Sequence, residues 1–145
     1  DHGQTPGRSF ELRYGETLTE VLERILYAGD APDAVDAGQV VPPVVAASGN
    51  LGHIYLDLDG PRLDLAEVEA RFPGLVEGLV QHPGVGIAAA LNDGSGAVAF
   101  GPAGRHDLVS GQVEGSDPLA VYGPQAAVSL RNITAPANAG DLVVV

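Results

Sequence analysis

The chain begins with an aspartate and a histidine side by side, Asp1 and His2, with a glycine directly behind them. A carboxylate oxygen and an imidazole nitrogen are ligands that suit zinc or manganese. Because the glycine permits a sharp backbone turn, both side chains are able to point at a single ion. A surface carboxylate beside a solvated imidazole has the same sequence, so this structural alternative stays open. Asp1 and His2 are our candidate metal ligands.

Two further side chains are suited to a phosphate-bearing substrate. Arg8 follows the metal candidates, and its planar guanidinium is able to hold a phosphate, although an exposed arginine that offsets acidic neighbours is an equal alternative. His53 lies in an apolar stretch, where it either faces the substrate or is half-buried and hydrogen-bonded, and the pattern favours the second. Arg8 and His53 are therefore candidate substrate-binding residues.

Two other groups of polar residues are better interpreted as turns than as functional sites. Ser48 lies in a Ser-Gly-Asn sequence that lacks the frame of a hydrolase nucleophile, so we expect a turn serine. Asp57, Asp59 and Gly60 match the opening of a calcium loop, but the later ligands of such a loop do not follow. A turn before the next helix requires the same residue types.

Composition limits the classes of function. The formal net charge is −12, which excludes a basic module that binds duplex nucleic acid. The chain has no cysteine, so disulfides and thiolate metal sites are excluded, and 45% hydrophobic residues suffice for a core. No apolar run approaches the roughly 18 residues of a membrane helix, so we expect a soluble chain. Position 1 is not methionine, and we interpret residues 1–145 as a single partial domain of a longer protein.

The elements that would position these residues follow from local patterns. Apolar residues recur at helical spacing over 18–26, after a capping pattern formed by Thr17 and Glu20. A second capping pattern, Asp64 with Glu67, precedes a helix to Arg71, and Pro73 begins another that reaches Gln81. A helix is also expected after Pro124.

Strands alternate with these helices. Strands are predicted over 44–47, 52–56, 85–91, 97–100, 105–109 and 142–145. Residues 29–39 combine Asp, Gly, Pro and Ala without periodicity, so we predict a mobile loop there. Alternation of both element types indicates an α/β or α+β fold.

Several stretches of the sequence occur in an order that resembles a known family. They are DHGQTPGRSF, RYGETLTEVL, SGNLGHIYL, RLDLAEVEARFPGLVEGLVQHPGVG, GQVEGSDPL, YGP and DLVVV. Their order resembles the alkaline phosphatase superfamily, in its type I phosphodiesterase and nucleotide pyrophosphatase branch. Within that branch the chain is similar to bacterial alkaline phosphatase family proteins, some with membrane segments ahead of the catalytic domain. The resemblance implies the C-terminal part of a catalytic domain, with a mixed sheet and flanking helices.

The resemblance also implies a chemistry. It makes Asp1 and His2 ligands of one of two divalent metal ions, zinc first and manganese second, in a hydrolase that acts on phosphate esters. The nucleophile, a threonine or serine, and the other ligands would precede this chain, and a last histidine ligand would follow Val145 in an HGG motif. We therefore expect the isolated chain to lack hydrolytic activity. A membrane-anchored parent is compatible with the resemblance, and the oligomeric state is not indicated.

Two other function classes remain as alternatives. The chain is either a non-catalytic structural or interaction domain that keeps the superfamily scaffold, because one fold hosts many functions, or an acidic module that binds divalent cations. The second alternative would use Asp57, Asp59 and Asp93.

Overall fold

The computed structural model describes residues 7–27, 42–93 and 96–145. The candidate ligands Asp1 and His2, and the loop predicted over 29–39, lie outside these ranges. The helices are α1 (Phe10–Tyr14), α2 (Leu18–Tyr27), α3 (Leu65–Arg71), α4 (Leu75–Gln81) and α5 (Ala126–Thr134). The strands are β1 (Val44–Ser48), β2 (Leu51–Tyr55), β3 (Ala88–Asn92), β4 (Gly96–Gly101), β5 (Gly104–Asp107), β6 (Val113–Gly115) and β7 (Leu142–Val144).

All seven strands belong to one sheet with the order β1-β2-β7-β3-β4-β5-β6. Every neighbouring pair in the described residues is antiparallel. The predicted combination of helices and strands is confirmed, and the antiparallel pairing corresponds to the α+β form of that prediction. The last strand, β7, lies between β2 and β3, so it joins the hairpin β1-β2 to the strands β3 to β6.

Helices cover both faces of the sheet. The face under α2, α3 and α4 holds the larger apolar cluster, in which Leu22, Ile54 and Leu79 are fully buried. The face under α5 holds a second cluster, which includes Leu130 and Val143. Burial of these side chains is the main contribution that stabilises the three layers.

The helix boundaries follow from local chemistry. Asp64 and Glu67 form the predicted capping box at the start of α3, with side-chain oxygens accepting from each other's backbone N–H at 2.9 Å. Pro73 separates α3 from α4 as predicted, although α4 begins at Leu75 after Gly74, whose φ is 80°. That left-handed conformation is one that glycine adopts without strain.

Several glycine-containing turns lie at the same end of the sheet. Val145 directly follows β7, and its carbonyl accepts hydrogen bonds from Gly86 N (2.7 Å) and Ile87 N (3.1 Å). The turn between β1 and β2 lies at this end, because Gly52 pairs with Val144. Gly49 in that turn has a φ of 61°, which suits a two-residue hairpin.

The turn between β4 and β5 lies at the same end. Gly101 pairs with Gly104 across this turn, and Ser116 N donates to Ala103 O at 3.0 Å. We call this end of the sheet the loop end. It comprises residues 48–52, 82–87, 100–104 and 115–118.

At the opposite end a buried carboxylate joins three segments. Asp141 is 2% exposed, and its two oxygens accept from Leu56 N and Leu63 N, both at 2.7 Å. Arg62 donates to the carbonyl oxygens of Gly140 and Thr134, at 3.0 and 2.6 Å. These bonds fix the entry to β7. Burial lowers the pKa of Arg62, and the nearby Asp141 carboxylate opposes that shift.

No helix among residues 7–27, 42–93 and 96–145 is long and apolar enough to cross a membrane.

Candidate functional site

Of the sequence-predicted site residues, the structure describes Arg8 and His53. Arg8 is exposed and lies just before α1. It forms no hydrogen bond or ion pair with any other described residue. The guanidinium is therefore accessible at the start of the described chain.

His53 lies in the middle of β2, opposite Ala46 and Val143. Its side chain is half-buried, and Nδ1 accepts a hydrogen bond from Gly140 N at 3.1 Å. The proton of a neutral ring must then be on Nε2. This is the half-buried, hydrogen-bonded arrangement that the sequence favoured, and it ties the segment before β7 to the sheet. Contact of His53 with a substrate stays a prediction.

The turn residues near the opposite end also have structural partners. Asp57 accepts from Gly60 N at 3.1 Å, and its other oxygen pairs with Arg71 at 3.2 Å. Ser48 is exposed beside the β1–β2 turn. Within the described ranges, no group of three or more His, Asp or Glu side chains is arranged to hold a metal ion.

The loop end brings together segments that are far apart in sequence. Parts of three sequence stretches quoted for the family resemblance line one groove there, HPGVG (82–86), GSDPL (115–119) and YGP (122–124), and SGN (48–50) lies at the same end of the sheet. The segments around Gly86 and Tyr122 lie very close together, because a Cβ on Gly86 would collide with the Tyr122 hydroxyl. A shared location for these motifs is what a binding or catalytic site would require.

The segment that follows Asp1 and His2 packs against the loop end. The ring of Phe10 stacks on His82 with a centroid distance of 5.1 Å, and the Tyr14 hydroxyl donates to Pro83 O at 3.1 Å. His82 Nδ1 accepts from Gly84 N at 3.0 Å, so Nε2 donates to Glu16 at 3.2 Å. The His82 side chain is only 8% exposed. These contacts hold α1 against loop 82–86.

Glu16 also has a second cationic partner. Arg24 pairs with its carboxylate through both terminal nitrogens. The bonds from Arg24, and secondarily from His82, lower the pKa of Glu16. The carboxylate is therefore ionised and its charge is compensated locally.

A groove of about 390 Å³ opens at the loop end. Its walls are mostly apolar, and they include Val80, Pro83, Pro102, Pro118 and Val121. This volume lies at the lower end of the range of small-molecule pockets, and the groove is open to solvent along one side. Two residues of loop 82–86, His82 and Pro83, line the groove and also contact α1.

A histidine–aspartate pair supports one wall of the groove. Asp117 accepts from His106 Nδ1 and from Leu119 N, both at 2.9 Å. The bond from His106 first, and that from Leu119 second, lower the pKa of Asp117. Asp117 lines the groove, whereas His106 is a neighbour that orients it.

Acidic residues are distributed unevenly between the two ends of the sheet. The loop end, as defined above, contains a single carboxylate, that of Asp117. The segment 7–16, which packs on it, has two arginines and two glutamates, and the Glu16 carboxylate is paired with Arg24. The opposite end carries six aspartates: Asp57, Asp59, Asp64, Asp93, Asp107 and Asp141. An anionic ligand is therefore repelled less at the loop end than elsewhere on the sheet.

No protein-family model, curated protein or solved structure matches this chain. The site is consequently argued from its geometry and its charges.

Sequence reasoning did not select His82, Asp117 or Tyr122 as members of a site. Their only local signal is the glycine and proline that surround each of them, in HPGVG, GSDP and YGP. Such residues indicate a turn, and a turn pattern does not reveal which other turn lies beside it.

Proposed function

We propose that the chain is part of a metal-dependent hydrolase of phosphate esters, in which Asp1 and His2 ligate one of two divalent ions. The threonine or serine nucleophile is supplied by sequence ahead of Asp1. The reacting phosphate lies at the loop end. Zinc is the expected metal, with manganese as the second choice.

The observation that carries this proposal is the distribution of charge. A phosphate ester is anionic, and a chain with a net charge of −12 repels it over most of its surface. Asp117, the only carboxylate within the loop end, accepts two hydrogen bonds, and the adjoining Glu16 is paired with Arg24 and His82. Arg8 and Arg13 lie on the adjoining segment. This end is where an anion approaches at the lowest electrostatic cost.

The position of α1 supports the same location. Phe10 and Tyr14 fix α1 to loop 82–86, and α1 follows Asp1 and His2 closely in sequence. The short separation keeps the two candidate ligands within reach of the loop end. Val145, after which the resemblance expects the last histidine ligand, is bonded to the same loop.

The donor set fits the expected metals. Asp1 offers a carboxylate oxygen and His2 an imidazole nitrogen, and both are common ligands of zinc. A pair of divalent ions supplies charge neutralisation and activation of the nucleophile. In this scheme Asp1 and His2 hold one ion, and Arg8 is placed to hold a non-bridging phosphate oxygen.

The test uses the longer protein with Asp1→Asn and His2→Gln variants. Each substitution removes one ligand, so we expect zinc content to fall and hydrolysis of a chromogenic phosphodiester to drop by several orders of magnitude. Bound zinc is measured by mass spectrometry and folding by circular dichroism.

Asp59→Asn is the matched control, because it removes an exposed carboxylate at the opposite end. It should leave both zinc content and turnover at the wild-type level. Wild-type turnover and full zinc occupancy in Asp1→Asn would contradict the assignment.

A further inference from the structure

The groove at the loop end differs in chemistry from a phosphate site. Apolar residues, six of them valine or proline, form most of its walls, and the one carboxylate in its lining is that of Asp117. A carboxylate repels a phosphate group. The interior of the groove therefore suits an uncharged, apolar group rather than an anion.

Two glycines allow the groove to exist. A Cβ on Gly101 would lie 2.8 Å from the Cβ of Pro118, and one on Gly86 would collide with the Tyr122 hydroxyl. Both distances are too short for real side-chain contacts. Because these positions are glycine, the segment 116–122 lies directly over the ends of β3 and β4 and forms the outer wall.

The outer wall exposes apolar surface to an unusual degree. Val121 lines the groove with 87% of its surface exposed, the highest fraction among the large hydrophobic residues that the structure describes. Tyr122 beside it is 46% exposed. Its hydroxyl bonds to no other described residue and is free to meet a polar atom of a ligand. Exposed apolar side chains at the rim of a concave site are typical of ligand-binding grooves.

We propose that this groove binds the uncharged, apolar alcohol group of the phosphate ester, with an aromatic ring as its preferred occupant. The rings of Pro83, Pro102, Pro118 and Tyr122 supply surface on which an aromatic group packs, and the carboxylate of Asp117 directs the phosphate away from the groove. The inference rests on the proposed function, because it names the substrate class of the same site. The phosphate then lies outside the groove.

The groove is tested on the 145-residue chain alone, without catalysis. The probe is 1-naphthol, titrated into ¹⁵N-labelled protein and followed by NMR. We expect saturable shifts of the amides of Gly86, Gly101 and Tyr122. The Val121→Asp variant places a charge on the apolar wall, so we expect binding at least about tenfold weaker.

Val109→Asp is the matched control. Val109 is also exposed, at 60%, but it lies in the loop after β5 at the opposite end. This variant should bind 1-naphthol within about twofold of the wild type. The inference is overturned if no saturable shifts occur at the groove, or if Val121→Asp binds as tightly as Val109→Asp.

A second measurement uses the longer protein and separates the inference from the proposed function. For Val121→Asp we expect a lower kcat/KM for a phenyl phosphodiester and an unchanged kcat/KM for the methyl analogue, since only the phenyl group fills the groove. Equal losses for both substrates would overturn the inference. If the longer protein hydrolyses neither ester, the proposed function fails. The titration with 1-naphthol still shows whether the groove binds an aromatic group.

Discussion

Several carboxylates among the described residues accept hydrogen bonds from backbone N–H groups. Asp141 accepts hydrogen bonds from Leu56 N and Leu63 N. Asp107 accepts from Val109 N and Ser110 N, each at 2.9 Å. The bonds from Ser110 and Val109 lower the pKa of Asp107. The partners of Asp141 are 85 and 78 residues away in sequence, so no local pattern predicts them.

The pKa of Asp117 leads to a prediction on pH. Because its pKa is lower in the folded than in the unfolded chain, the ionised carboxylate stabilises the fold above the ordinary pKa near about 4. This contribution is lost as the pH falls through the lowered pKa. The Asp117→Asn variant should therefore melt below the wild type at neutral pH, and the gap should close in acid. Thermal unfolding followed by circular dichroism measures the gap.

Asp59→Asn serves as the control for this series, because the Asp59 side chain is exposed and bonds to no other described residue. The difference in melting temperature between Asp59→Asn and the wild type should not change in this way as the pH falls. A gap between Asp117→Asn and wild type that stays constant from neutral to acid pH would contradict the assigned role of His106 and Leu119 N.

Only some residues of the candidate site could be predicted from the sequence. Asp1 and His2 come from the sequence and the family resemblance, and they lie outside the described residues. The interpretation of His53 followed from its apolar neighbours. The groove around Tyr122 had no sequence signal, because it depends on two glycines that approach segment 116–122 from other strands.

At the level of elements, regular patterns gave reliable predictions. The helical face over 18–26 corresponds to α2, and the alternation of apolar and turn residues located β1 to β4 within a few residues. Helix α5 and strand β7 also lie where they were predicted. Local sequence suffices for these elements because their caps, turns and apolar faces are encoded within about ten residues.

Two elements were not predicted, α1 and β6. Helix α1 has five residues and no buried residue, so its stability comes from a cap at Ser9, a left-handed Gly15 and contacts with His82. Strand β6 has three exposed residues. The strand predicted over 105–109 corresponds to β5, which ends at Asp107. The central place of β7 is likewise a long-range property, since its partners are distant in sequence.

The pairing of β7 with β2 depends on a glycine. A Cβ on Gly140 would lie 2.7 Å from both the backbone N and O of Ile54. Backbone atoms are unable to move aside as a flexible side chain would, so Gly140→Ala should separate the strands. We expect a loss of about 2–4 kcal/mol in the free energy of unfolding, measured by urea denaturation.

The matched control is Gly78→Ala in α4. Its new Cβ would meet only the side chain of Ile25, at 3.0 Å, and the helix gains propensity from alanine. The free energy of unfolding should stay within about 1 kcal/mol of the wild type. Equal stability of the Gly140→Ala and Gly78→Ala variants would contradict the close approach of β2 to the segment before β7.

For the whole molecule, the dominant property is the separation of charge between the two ends of the sheet. The opposite end carries six aspartates of a chain with a net charge of −12. Some of them are compensated, as Asp57 is by Arg71 at 3.2 Å. Asp59 and Asp93 are exposed, and no described residue pairs with them. Repulsion among these carboxylates opposes the compact state.

This repulsion should make the stability of the chain depend on salt. As NaCl rises from about 10 to about 100 mM, the screening length falls from about 30 to about 10 Å, so the melting temperature of the wild type should rise. The double variant Asp59→Asn, Asp93→Asn should melt higher than the wild type at low salt and respond less to NaCl. Asp57→Asn is the control, because it breaks the pair with Arg71 and should gain nothing. A wild-type melting temperature that does not change with salt would show that the carboxylates at the opposite end do not repel one another appreciably.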